Sequence, residues 1–189
     1  HIAMFTPFPL LTTSRLRLRA PTLADLADFH RHECDPQINL HLGRPPPPDL
    51  DVTRAKLTGI LDSIAAGKSI MWILGDLATG AYLGSACLWQ WDPLNARAEL
   101  GYVLDPSRWG QGLVPEAVAA VLRFGCEHMG LHAVEAWTHP DNHASLRVLE
   151  KLEFRKEAHF KERNLNLVTH AWDDAVVYTH LFPAPRHRG

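Results

Sequence analysis

Leu16 and Leu18 alternate with Arg15, Arg17 and Arg19, the period of two that gives a strand one buried side and one solvent-facing side. Thr22, followed three residues later by Asp25 and then by Leu26 and Phe29, has the form of a capped helix start, so a helix is predicted to run toward His32. The proline run Pro45, Pro46, Pro47 and Pro48 removes backbone donors and fixes φ, which excludes helix interior and central strand and predicts an exposed loop over 43–49. Leu57, Ile60, Leu61 and Ile64 return to helical spacing, and Gly67 ends it. The apolar runs 70–74 and 82–91 flank turn-forming residues at 76–80 and predict a β-hairpin.

Downstream, 98–104 predicts a strand that Asp105 and Pro106 end. Residues 115–128 set Val118, Val121, Leu122 and Cys126 on one helical face, with Pro115 tolerated in the first turn. A strand over 132–138, a short helix over 144–152 and closing strands over 154–160 and 175–181 complete the order. Strands interleaved with helices in this way predict a mixed α/β domain.

Composition narrows the function classes. A chain of 189 residues with 46% hydrophobic and 21% charged positions can bury one self-sufficient core, so a single domain over 4–182 is expected. The formal net charge of −2 provides no overall basic field, which argues against a nucleic-acid partner. Cys34, Cys87 and Cys126 are odd in number and widely spaced, fitting neither a disulfide framework nor a zinc site. No apolar run reaches the roughly 18 to 20 residues of a membrane span, and no signal-peptide layout is visible, so a cytoplasmic protein without a membrane partner is expected. His1, Ile2 and Ala3 precede Met4 and are set aside as a remnant of expression, and 183–189 are expected to form a flexible tail.

The densest chemistry lies in 99–116, ELGYVLDPSRWGQGLVPE: a strand, a tight loop holding Gly110 and Gly112, then a helix start. Such a loop lets backbone N–H groups and the positive helix end converge on a phosphate, and Arg108 adds a charge-assisted donor. The segment lacks the Gly-Lys-Ser/Thr ending of a nucleotide-hydrolase loop and the third glycine of a dinucleotide fingerprint. A plain strand-to-helix turn and a metal-free pyrophosphate cradle both remain open on the spacing alone. His139 with His143, and His30 with His32, have ligand-like spacing, but the supporting Cys or carboxylate set is missing, so no metal is expected. Trp89 and Trp91, two apart on one strand, are expected to share a face and to line a substrate pocket.

Three separated segments resemble the GNAT acetyltransferases, and within them the RimJ/RimL-like branch of ribosomal-protein N-terminal acetyltransferases. Arg15-Leu16-Arg17-Leu18-Arg19 with Thr22 to Phe29 looks like the branch's opening strand and helix. Residues 98–117 look like its acetyl-coenzyme A motif, and Asn142-His143-Ala144-Ser145 through Glu150-Lys151-Leu152-Glu153-Phe154 look like its second cofactor motif. Two positions depart from the pattern: Ser107 stands where many members carry Gln or Arg, and Glu153 replaces the glycine usual before the phenylalanine.

The resemblance implies a mostly antiparallel sheet of six or seven strands, helices on both faces and one splayed strand pair. It implies acetyl-coenzyme A as co-substrate and a primary amine as acceptor, a peptide N-terminus or a small molecule. The coenzyme arm would pair along Tyr102, Val103 and Leu104, and its pyrophosphate would rest on Arg108, Trp109, Gly110, Gln111, Gly112, Leu113 and Val114. Asn142 would bond the arm's amides, Glu99 would accept the amine proton, and Ser145 would return a proton to the departing thiolate. Against these stand an exposed strand carboxylate for Glu99, a helix cap for Asn142, an inert helical serine for Ser145 and a core residue for Tyr178. A catalytically silent coenzyme A-binding module is the rival for the whole chain, and self-association into a homodimer is left open.

Overall fold

A computed structural model describes residues 4–183 of the protein. The expectations for residues 1–3 and, Pro183 apart, for the tail 183–189 lie outside the described residues. The chain opens with β1 (Leu11–Thr12) and β2 (Leu16–Arg19). Thr22 then caps a 3-10 turn, Leu23–Asp25: its hydroxyl accepts from Ala24 N at 3.2 Å while the Asp25 carboxylate accepts from Thr22 N at 2.8 Å. Two orphan donors are satisfied reciprocally, so the turn runs straight into α1 (Leu26–Glu33).

Asp35 caps a short α2 (Pro36–Asn39) inside a stretch that carries no helical pattern, and Asp49 caps α3 (Leu50–Ala65) after the proline loop. The predicted hairpin is β3 (Ile70–Asp76) with β4 (Tyr82–Asp92). β5 (Arg97–Leu104) leads through a 3-10 turn, Pro106–Arg108, to α4 (Leu113–Met129). Then come β6 (Ala133–Thr138), α5 (His143–Lys151), β7 (Arg155–Leu165) and β8 (Trp172–Leu181).

The strands form one sheet in the order β1-β2-β3-β4-β5-β6-β8-β7, antiparallel throughout except for the parallel pair β5–β6. Among the described residues it has eight strands where six or seven were expected; the addition is β1, whose two residues have no readable period. Strand alternation divides the core into two layers. Ile70, Trp72 and Leu74 of β3 pack with Val118, Val121 and Leu122 of α4, whereas Met71 and Ile73 pack with Leu26 and Phe29 of α1 and Leu57 of α3. Burying each of these large side chains contributes roughly 1.5–3 kcal/mol. The helices therefore cover both faces, as expected.

One strand departs from simple alternation. Gln90 has a φ of 50° and the β4–β5 register shifts between Trp89 and Asp92, a bulge that turns the chain over. Trp91 consequently packs against the α4-side core, 6.3 Å from the Phe5 ring, while Trp89 stays on the Gly101 side and is 43% exposed. The expectation that both tryptophans share one face is corrected by that bulge.

Candidate active site

Pairing between β5 and β6 covers Arg97↔Ala133, Ala98↔Val134 and Glu99↔Glu135, and there it stops. From Leu100 to Leu104 the β6-facing edge of β5 is unpaired, while β6 stays paired with β8 on its other edge from Ala133 to Thr138. The predicted splay is thus a wedge that opens toward the C-terminal end of β5. A backbone edge left unpaired there offers donors and acceptors to an extended, amide-bearing arm.

The glycine loop sits at the mouth of the wedge. Asp105 caps the 3-10 turn by accepting from Ser107 N, and Gly110 and Gly112 both take left-handed φ, 74° and 76°. That conformation aims successive N–H groups the same way and favours residues without a Cβ. The N–H groups of Gly110, Gln111, Gly112, Leu113 and Val114 have no acceptor among the described residues, and they surround the start of the 17-residue helix α4. This is the donor set an anionic pyrophosphate requires, and the loop fits it.

Side chains brace the loop from both ends. Trp109 Nε1 donates to Leu104 O at 2.8 Å. Arg108 is engaged by Asp76 at 3.1 Å and by Gln111 Oε1 at 3.2 Å, so its charge is already paired. Arg15 reaches the loop from β2's leading edge: Nη1 donates to Gln111 O at 2.9 Å and Nε to Glu116 Oε1 at 2.9 Å. Ser107, one of the two departures from the family pattern, spends its hydroxyl on Asp105 at 2.7 Å. The other departure, Glu153, holds the left-handed φ of 65° that a glycine would adopt without strain.

Beyond the loop, the two faces of β5 carry different chemistry. Tyr102 points to the α5 side, where its hydroxyl and that of Ser145 share a 2.6 Å hydrogen bond. Burial raises the Tyr102 phenol above its ordinary value, against the opposing effect of Ser145. Asn142 caps α5 by accepting from Ser145 N at 3.2 Å, which fixes Ser145 at the helix start. Glu99 points to the other face, into a cavity of about 590 Å³ that it shares with Glu135, Trp137, His139, Asn142 and Arg163. Partial burial, and secondarily the Glu135 charge, raise the Glu99 carboxyl above its usual value.

Residues 15–155 match the model of the GNAT acetyltransferase domain. The chain belongs to the GNAT acetyltransferases. It is 30% identical over 147 residues to an N-acetyltransferase, p20, of Bacillus licheniformis, covering 78% of this chain and 83% of that one. Its fold is shared by the ribosomal L7/L12 α-N-protein acetyltransferase RimL in complex with coenzyme A, with a TM-score of 0.83, 20% identity and coverage of 92% and 98%. It is shared too by spermidine N-acetyltransferase from Vibrio cholerae in complex with coenzyme A and spermine, with a TM-score of 0.79, 19% identity and coverage of 89% and 96%. This GNAT chain is therefore an acetyl-coenzyme A-dependent N-acetyltransferase, and its fold is that of RimL.

Within the GNAT frame, the fold brings Glu99, Tyr102, Asn142 and Ser145 to the wedge and sets the loop from Arg108 to Val114 at its mouth. The cavity beside Glu99 owes much to residues with no sequence signal. His41 stacks on His139 with ring centroids 5.6 Å apart, and Leu167 N donates to Gly43 O, so the loop after α2 closes on the β7–β8 turn. Trp89 and Trp91 do not line this cavity, although Gln90 between them does. Tyr178 is a core residue of the α4 side. His30 bonds Thr53 Oγ1 at 2.6 Å and His32 bonds Asp105 at 3.1 Å, and among the described residues no group of three or more His, Cys, Asp or Glu is arranged to hold a metal. No helix of the described residues is long and apolar enough to cross a membrane.

Proposed function

We propose that this enzyme acetylates a primary amine by direct attack on the thioester, with the amine entering from the Glu99 face and the coenzyme arm lying in the β5–β6 wedge. The observation that carries this reading is the end of β5–β6 pairing at Glu99↔Glu135, which leaves one free strand edge between the Glu99 cavity and the Tyr102–Ser145 pair. Acetyl-coenzyme A supplies the acyl group as a thioester. The loop N–H groups from Gly110 to Val114 hold its pyrophosphate, and the edge at Tyr102, Val103 and Leu104 receives its arm. Glu99, directly or through a water, accepts the proton from nitrogen as the N–C bond forms and the C–S bond breaks. On the opposite face the Tyr102–Ser145 pair returns one proton to sulfur, which refines the role the sequence suggests for Ser145 alone.

The acceptor is a peptide N-terminus or a small amine. A mass-spectrometric screen of acetylated products, with the purified protein, acetyl-coenzyme A, a chelator and an amine panel, tests this reading. Acetylated amine whose formation Glu99→Gln slows near neutral pH is the expected result. Coenzyme binding by calorimetry with no turnover of any amine would instead support a silent coenzyme A-binding module.

A further inference from the structure

The cavity beside Glu99 is rich in charge, and almost all of that charge is already used by the protein. Glu135 is paired with Arg97 at 2.7 Å. Asp173 accepts from Asn166 Nδ2 at 2.8 Å and lies 3.7 Å from His139 Nε2. Asp174 accepts from Glu162 N, His159 and Lys161 at 2.9, 2.7 and 3.3 Å. Among the described residues two charged side chains of opposite sign remain without a hydrogen bond or ion pair in this cavity: the Glu99 carboxylate and the Arg163 guanidinium.

Arg163 is held without its donors being used. Its guanidinium lies 4.7 Å from the Trp137 ring centroid and 4.8 Å from that of Phe160, and those two rings stack on each other at 5.5 Å. Such a platform fixes the guanidinium plane by contact with π faces and leaves its N–H fork for a planar anion. The sheet sets Glu99 near the ring that carries Arg163. Glu99 is in register with Glu135, and Trp137 lies two residues further along the same face of β6. One strand spacing and one two-residue rise would separate the Glu99 and Trp137 Cα atoms by about 8 Å, and the splay beyond Glu135 widens that distance.

We propose that this cavity takes an amino acid as acceptor, its ammonium beside Glu99 and its carboxylate on the fork of Arg163. The inference rests on the amine-acetylating reading above and narrows it. A polyamine would set a second cation against Arg163, whereas a carboxylate would receive charge-assisted, two-point hydrogen bonds there. The cavity volume of about 590 Å³ admits an amino acid with a large side chain.

The test compares free amino acids with their primary amides, with matched dipeptides and with spermidine, as acetyl acceptors of the full chain. Wild type is expected to prefer the acid to its amide. Arg163→Gln should raise KM for the acid about 10- to 100-fold and leave kcat and the KM for the amide unchanged, and Arg163→Lys should fall between. Arg163 is on an exposed strand position, so these variants should fold. Equal use of acid and amide, equal impairment of both by Arg163→Gln, or preference for dipeptides or spermidine overturns the proposal while leaving amine acetylation intact. Should no amine turn over, the acetyl-transfer reading fails separately. The proposal is then read from calorimetric binding of amino acid and amide to the coenzyme A-saturated protein: a preference for the acid lost in Arg163→Gln supports it, and its absence overturns it.

Discussion

Replacing Gly112 tests the anion cradle at its most demanding point. Gly112 caps α4 with a φ of 76°, a left-handed conformation that costs a residue bearing a Cβ about 1 kcal/mol, and Asn or Asp somewhat less. Space is not the obstacle, because a Cβ there would meet nothing nearer than Arg15 Nη2 at 3.6 Å, an ordinary contact. Bulk and strain are therefore similar for Asn and Asp, and the difference between those two variants isolates charge. A phosphate held at about 3 Å by the loop N–H groups would sit about 5 Å from a carboxylate on residue 112. Two unit charges at that distance repel by about 1 kcal/mol in bulk water and about 3 kcal/mol at an effective dielectric of 20.

Arg15, close to the new carboxylate, pulls the value toward the lower end. Gly112→Asp should accordingly bind coenzyme A about 5- to 150-fold more weakly than Gly112→Asn. The assay is titration calorimetry at two salt concentrations, with thermal melts to show that both variants fold. The gap should narrow as salt rises, since an open loop is screened. Equal affinities for the two variants would place the phosphates away from this loop.

The remaining predictions address protons and packing. Glu99→Gln should keep coenzyme affinity and lower turnover, and the defect should shrink as pH rises and more of the amine is already neutral. Burial and Glu135 raise the Glu99 carboxyl in the folded state, so its contribution to stability is present below about pH 4 and is lost as pH rises through the folded value. Glu99→Gln should therefore melt above wild type at neutral pH, with the difference gone at low pH; an unchanged gap across a melting series from pH 4 to 8 would contradict that sign. Tyr102→Phe and Ser145→Ala should each lower kcat, by up to about 10²-fold, and the double variant should be little worse than the more damaged single one, because both hydroxyls share one hydrogen bond. Additive losses in that cycle would mean separate roles. Gly84→Ala should cost roughly 3 kcal/mol or prevent folding, because its Cβ would collide with Val103 O and lie 2.9 Å from Val103 C; a wild-type melting temperature would refute the close β4–β5 approach.

Much of this architecture is legible in the sequence because it is periodic. The strands and helices whose apolar residues recur at two or at three and four positions were all identifiable, and so was the cap at Thr22. What escaped has no period to read: β1 is two residues long and α2 four, the latter resting on one Asp35 cap and a proline at its start. Trp91 escaped for another reason, since a non-glycine residue with positive φ, Gln90, reverses the face without any mark in the residue pattern. At the site, the glycine loop and the face of Glu99 follow from local rules. The Tyr102–Ser145 bond joins residues 43 apart and the Arg15–Gln111 bond residues 96 apart. Arg163 over Trp137 likewise depends on how β7 and β6 meet through β8, a tertiary fact that no local spacing encodes.

The parallel pair explains why these parts converge. Every other strand neighbour in the sheet is antiparallel, but joining β5 to a parallel β6 requires a crossover, and α4 is that crossover. A helix that returns the chain in this way must begin at the carboxyl end of the strand it leaves, so its unsatisfied N–H groups arise beside Leu104 with no further instruction. β6 pairs with β8 on its other edge from Ala133 to Thr138 but with β5 only as far as Glu99, so the gap opens at that same end. Anion donors, a free strand edge and access from both faces are then consequences of one connection. Strand alternation supplies the rest: Glu99 and Tyr102, an odd number of residues apart, must face opposite sides of the sheet, which separates the carboxylate we propose removes a proton from the pair we propose returns one.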